Sequence, residues 1–189
     1  MIIPARTHQE NLIFESPQEF QKFVRRQMTK SIKEDGMANR LGVYTQNIIM
    51  TSGGYDPIHP GHISYLQQAK RHDTENSCFH VAVVNGDNFL TAKKGKPFMD
   101  LDTRAKIVFA ISGVDAVVKF EIEDDQTVIE ALKFIQPYRF FKGGDRKDAS
   151  SIPEWDICQE LGIEVVFDTG IEKTQSSSGF IKGNSNGAT

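Results

Sequence analysis

Between residues 47 and 182 two kinds of segment alternate, and this alternation limits the fold more than any other feature of the chain. Five short runs, NIIMTS (47–52), FHVAVVN (79–85), AVVKF (116–120), YRFFK (138–142) and EVVFD (164–168), are rich in β-branched and aromatic residues and carry little internal polarity. Strands buried on both faces of a parallel sheet read this way. Between them lie HISYLQQAKR, DTRAKIVFAISG, QTVIEALKFIQ and PEWDICQELG, whose apolar residues recur at helical spacing. In the last, Pro153 suits a first turn and Gly162 a stop. Strands alternating with helices imply right-handed crossovers, so the expected fold is α/β, a doubly wound five-stranded parallel sheet.

Ligands of such Rossmann-like sheets lie beyond the carboxyl ends of the strands, near the point where strand order reverses. Four segments follow strands and are the candidates: GGYDPIHPGH, NGDNFLTAKKGK, GGDRKD and TGIEKTQSSS. Residues 1–46 stand outside the alternation. There Ser16-Pro17-Gln18-Glu19 has the form of a capping box, and Phe20, Phe23, Val24, Met28 and Ile32 share a helical face. This predicts an N-terminal extension, 1–46, with one amphipathic helix over about 17–34 that covers either the sheet or a neighbouring subunit. The domain proper is expected over 47–182, and the small polar residues 183–189 as a frayed, disordered tail.

Composition removes several classes of function. No apolar run approaches the roughly 18 to 20 residues a membrane helix needs, and the N-terminus lacks the zones of a signal peptide. The expectation is a cytoplasmic protein without a membrane partner. Two distant cysteines, Cys78 and Cys158, suggest neither a disulfide framework nor a zinc site. A net charge of −3 gives no general attraction to nucleic acid, so positive charge must act locally, as in AKKGKP at 92–97.

Within TSGGYDPIHPGH (51–62), Gly53 and Gly54 at a strand end allow unusual backbone angles and close approach of a ligand. Gly61 and His62 open the next helical segment, where backbone N–H groups and the positive end of a helix favour an anion. Imidazoles at His59 and His62 could donate to phosphate oxygens and stabilise charge in phosphoryl transfer. The alternative is a strand-to-helix turn with two solvated or capping histidines. Zinc would need more ligands than this pair supplies, and no Walker pattern is present.

The segment Gly54-Tyr55-Asp56-Pro57-Ile58-His59-Pro60-Gly61-His62 resembles the GxFDxxHxGH signature of the cytidylyltransferase-like nucleotidyltransferases, with tyrosine where phenylalanine is usual. TQSSSGFI (174–181) resembles their second signature, a Ser/Thr-rich turn opening the last helix. The similarity runs over about 47–182, through KGKP, LDTR, VDAVVKF and FFKGGD, and the KGGD of Lys142 to Asp145 looks most like the branch that adenylylates heptose 1-phosphate.

The resemblance implies attack of a substrate phosphate oxygen on the α-phosphorus of a nucleoside triphosphate, with release of pyrophosphate. His59 and His62 would bind the triphosphate, with Lys94 supporting the charge. Gly53, Gly54, Tyr55, Asp56 and Gly61 would line the nucleotide, Gly143, Gly144 and Asp145 its base or ribose, and Ser176, Ser177 and Ser178 its β- and γ-phosphates. Lys173 stands where an arginine is common and would meet the nucleotide. Lys96, Arg104 and Asn85 would face the phosphorylated acceptor. For Lys93, Lys94 and Lys96 the alternative is a solvated run in a loop; for Arg104 it is a surface pair with Asp100 or Asp102. Magnesium would arrive with the nucleotide, held by phosphate oxygens and water. The favoured reading is AMP transfer from ATP to a sugar phosphate. Alternatives are a CTP-dependent enzyme acting on glycerol phosphate, an adenylyltransferase of cofactor synthesis acting on pantetheine phosphate or nicotinamide mononucleotide, and a silent nucleotide-binding module. A homodimer is plausible by resemblance.

Overall fold

The computed structural model describes residues 12–33, 47–72, 78–121, 127–143 and 148–170. The strands are β1 (Ile13–Phe14), β2 (Ile48–Gly53), β3 (Phe79–Asn85), β4 (Ala116–Phe120), β5 (Arg139–Gly143) and β6 (Glu164–Thr169). The helices are α1 (Pro17–Lys33), α2 (Pro60–Arg71), α3 (Asp87–Lys94), α4 (Leu101–Ala110), α5 (Ile129–Ile135) and α6 (Trp155–Glu160). The strands form one parallel sheet in the order β1-β4-β3-β2-β5-β6. Strand order therefore reverses between β2 and β5, and the crevice for a ligand opens at their carboxyl ends, at Gly53 and Gly143.

Alternate residues of the central strands feed two cores. Ile48, Met50, Val81 and Val83 face Phe20 and Val24 of α1 and Leu132 of α5. Ile49, Ala82 and Val84 face Leu66 and Ala69 of α2 and Ala105 and Val108 of α4. Every residue of β3 and β4 is buried, as continuous apolar strands covered on both faces must be.

The expected fold class holds, with one more strand than the five expected. β1 is two residues long and pairs Ile13 with Val117 and Phe14 with Val118, too short to leave a periodic signal. Its presence brings residues 12–33 into the sheet and its core. Helix α1 covers the sheet, with Phe20 and Val24 buried and Phe23 and Met28 packed against them. Its start is capped as the sequence suggested, the Glu19 N–H donating to Ser16 Oγ at 3.2 Å. The Glu19 carboxylate reaches one residue further back than a standard capping box, accepting from the Glu15 N–H at 2.8 Å.

Two local expectations change. The segment after β3 is not a loop: Asp87–Lys94 is helical and stops at Gly95, whose φ of 89° suits glycine. Lys93 and Lys94 thus occupy a last helical turn, where the macrodipole favours cations. Pro153 lies before α6, outside it, while Gly162 has the positive φ of 67° expected of a helix stop.

Candidate phosphate-binding site

The turn after β2 carries the candidate site, and it is strained. Tyr55 has φ 50°, a left-handed conformation that a bulky residue adopts only when its surroundings over-determine it. Three anchors do so here. Arg104 donates from Nη1 to the Gly54 carbonyl at 2.8 Å. The Asp56 carboxylate accepts from the backbone N–H of Phe98 at 2.7 Å and of Met99 at 2.8 Å. The Tyr55 ring itself is buried, packed so closely under Gly53 that a Cβ there would lie 3.1 Å from the ring Cζ.

The glycines therefore make room for the chain's own side chains. At Gly54 a Cβ would stand 2.7 Å from Leu90 Cδ2, and at Gly61 one would stand 2.9 Å from His59 Cε1. The expectation that Gly53 and Gly54 clear space for a ligand is thus sharpened: packing of Tyr55 and Leu90 already requires them.

His59 is the N-cap of α2, with extended backbone, and Pro60 takes the first helical position, where its missing N–H costs nothing. His59 Nδ1 accepts from the Gly61 N–H at 3.1 Å. That bond fixes the neutral ring as the tautomer with its hydrogen on Nε2, the atom that can donate to an anionic oxygen. The rings of His59 and His62 stack with centroids 3.8 Å apart and planes 24° from parallel. His62 in turn meets the Tyr55 ring edge-on, 5.3 Å between centroids. Both imidazoles are thereby brought to one side of the turn.

The backbone donors expected at this helix start are engaged. Pro60 has none, the Gly61 N–H is taken by the His59 ring, and the His62 N–H donates to the His59 carbonyl at 2.9 Å. An anion at this helix start would have to be met chiefly by the two side chains, with the helix dipole behind them.

Lys94 enters the site from α3. Its ammonium lies 2.8 Å from Asp56 Oδ2 and also donates to the Asp56 carbonyl. Lys93 turns instead over the Phe89 ring, 5.5 Å from its centroid, and Lys96 is exposed.

Arg104 is placed otherwise than expected. It is fully buried, and the exposed pair with Asp100 or Asp102 does not describe it. Its guanidinium donates to the carbonyls of Gly54, Asn85 and Met99 and to Asp87 Oδ1, tying together the ends of β2, β3 and the segment before α4. The pairing signal failed because LDTR places the arginine on the inner face of α4, beside Ala105 and Val108. Asn85 ends β3, almost buried, and its Oδ1 has no hydrogen-bond partner among the described residues.

Gly143 closes β5 at the same end of the sheet. Tyr65, one turn after His62, donates its hydroxyl to the Phe141 carbonyl at 2.6 Å, pinning α2 to β5. Gly170, just past β6, packs against Tyr65, where a Cβ would lie 3.3 Å from its Cα. The remaining expected contacts, Gly144, Asp145, Lys173, Ser176, Ser177 and Ser178, lie outside the described residues, as does the tail 183–189.

Sequence reasoning passed over two buried polar residues, Thr51 and His80, and the half-buried Asp115 beside them. Thr51 Oγ1 and His80 Nε2 are 2.9 Å apart, and His80 Nδ1 lies 2.6 Å from the Gly113 carbonyl. Asp115 Oδ2 accepts from the His80 N–H at 2.8 Å and pairs with Lys70. Burial pushes the His80 pKa down to about 4, against the opposing pull of the Gly113 carbonyl and Asp115. A histidine amid FHVAVV was the available signal, and an apolar strand gave no reason to weigh it.

The chain is 34% identical over 122 residues to the bifunctional protein HldE of Methylococcus capsulatus, covering 64% of this chain and 24% of that protein. It is 36% identical over 133 residues to the bifunctional protein HldE of Histophilus somni, covering 68% and 26% respectively. The chain thus spans about a quarter of the length of the curated relatives it matches. A lipopolysaccharide core biosynthesis protein from Thermoplasma volcanium superposes with a TM-score of 0.53 at 21% identity, covering 66% of this chain and 98% of that one, a likeness of fold. The sequence profile of the family described as cytidylyltransferase-like matches residues 50–173, from the middle of β2 past the end of β6 and so across the whole histidine turn, and the chain belongs to that family.

Proposed function

We propose that the chain is a nucleotidyltransferase that transfers AMP from ATP to a sugar phosphate and releases pyrophosphate. The observation that carries the reading is the stacked pair His59 and His62 at the start of α2, where strand order reverses. Family membership supports the reaction class, and the KGGD segment supports a sugar phosphate as acceptor.

An ionised oxygen of the acceptor phosphate attacks the α-phosphorus. The bond to the bridging oxygen of pyrophosphate breaks, and its electron pair leaves with pyrophosphate. The nucleophile arrives already ionised, so positioning and charge stabilisation suffice. His59 Nε2–H and the His62 ring donate to the oxygens that gain charge. Lys94, held beside the turn by Asp56, supports the charge on the phosphates, Lys96 and the orphaned acceptor of Asn85 face the sugar phosphate, and Ser176, Ser177 and Ser178 hold the β- and γ-phosphates. The described carboxylates near the turn are committed, Asp56 to Lys94 and two backbone donors and Asp87 to Arg104. A magnesium ion would therefore ride on triphosphate oxygens and water.

Measuring pyrophosphate release with ATP and CTP against a panel of sugar and alcohol phosphates tests the reading. A clear preference for CTP with glycerol 3-phosphate would replace it with the cytidylyltransferase reading.

A further inference from the structure

The sheet is paired over a shorter length where its strand order reverses than on either side. β2 stays in register with β3 as far as Gly53 opposite Val84, and β5 with β6 as far as Gly143 opposite Thr169. Between β2 and β5 the pairing covers Ile49 with Arg139 and Met50 with Phe140, and there it ends. The crevice that such a reversal opens begins past these two pairs, ahead of Gly53 and Gly143.

One side chain stands in that opening. The Tyr65 hydroxyl donates to the Phe141 carbonyl at 2.6 Å and accepts from the Ser52 N–H at 3.4 Å, so a single oxygen spans the two strands just beyond their last paired residues. A hydroxyl carries one donor and two lone pairs, and both bonds form at once. Tyr65 is itself buried. Phenylalanine would pack on the same ring surface and leave the buried Phe141 carbonyl without this donor, so the hydroxyl has a role beyond filling space.

Tyr65 lies in α2 one turn after His62, which places both on one side of the helix. The same stretch of α2 is held at a second point. Gln68 Oε1 accepts from the Gly170 N–H at 3.1 Å, and Gly170, with φ 108°, packs against the Tyr65 backbone. These ties limit rotation of α2 about its own axis, and the His62 ring turns with that rotation. We propose that Tyr65 is a positioning residue: its hydroxyl sets the rotation of α2 against the ends of β2 and β5, and so the direction in which His62 and the stacked His59 meet the ligand phosphate. The inference rests on the proposed role of the two histidines facing the triphosphate. A misplacement of about 1 Å near reacting atoms costs up to about a hundredfold in rate, and loss of one hydroxyl tie is expected to cost a fraction of that.

Tyr65→Phe keeps the ring and removes the bridging oxygen. Two readouts separate the inference from the reading it rests on. The first is the ¹⁵N-edited NMR signals of the His59 and His62 imidazoles in the full chain, which need no substrate. The second is the split between kcat and KM for pyrophosphate release. Tyr65→Phe is expected to shift the imidazole signals and to lower kcat by about three- to tenfold, with KM for the nucleotide within about twofold. Ile135→Val, in the core that α5 and α1 share, serves as the control: it is expected to lower the melting temperature and leave both readouts in place. Unmoved imidazole signals in Tyr65→Phe, an unchanged kcat, or equal changes in Ile135→Val would overturn the proposal. If the wild-type chain shows no turnover with any acceptor, the proposed function fails on its own, and the imidazole signals still decide whether Tyr65 orients the histidines.

Discussion

Lys94 and Asp56 are 38 residues apart in sequence and meet beneath the histidine turn, ammonium to carboxylate at 2.8 Å. The Asp56 side chain is wholly buried and also accepts the N–H groups of Phe98 and Met99, so one carboxylate fixes both the end of α3 and the segment leading to α4. Removing it would strand a buried ammonium and two backbone donors at once.

Asp56→Ala is therefore expected to destabilise the fold by about 3–5 kcal/mol, the scale of breaking a buried pair by deleting one partner. Urea denaturation measures this; a loss below about 1 kcal/mol would show that the pair is screened by water.

For Arg104 the expectation separates a clamp from a ligand contact. Arg104→Met removes four hydrogen bonds, one to the buried Asn85 carbonyl and three to half-buried acceptors, and a loss of about 3–5 kcal/mol in denaturant unfolding is expected. An arginine serving only the acceptor would leave the unfolding midpoint in place and raise KM for the acceptor.

His80 gives stability a pH dependence. An unfolded histidine titrates near 6.5 and His80 in the fold near 4, so between these values the unfolded chain binds the extra proton. Its contribution is fully present above pH 6.5 and is lost as the pH falls toward 4, at up to about 1.4 kcal/mol per pH unit. The difference in unfolding midpoint between the wild type and His80→Leu, taken between pH 7 and pH 4.5, should move against the wild type toward acid, because only the wild type loses this contribution. Parallel curves would contradict the neutral burial of His80.

Much of this architecture was legible in the sequence because burial writes periodicity. The runs FHVAVVN and AVVKF are β3 and β4 to the residue, and Phe20, Phe23, Val24 and Met28 marked the face α1 buries. The extra strand β1 escaped because two residues have no period. The histidine turn was legible as a turn with anion-binding potential. That the backbone donors at its helix start are already engaged was not, because the His59 side chain turning back onto the Gly61 N–H is a matter of rotamer, not of spacing. Arg104 and the hydrogen-bonded pair Thr51 and His80 were illegible for a related reason: a buried polar residue is recognised by partners far away in the chain, such as Asn85 and Gly113.

The central claim is best tested by pyrophosphate release from the full chain and from His62→Ala, supplied with ATP and a sugar 1-phosphate. The wild type is expected to release pyrophosphate with ATP in preference to CTP. His62→Ala is expected to keep its fold by circular dichroism and lose at least about tenfold in kcat, the scale of removing one donor to the developing charge. Undiminished turnover in His62→Ala, or tight nucleotide binding by the wild type with no pyrophosphate from any acceptor, would contradict it.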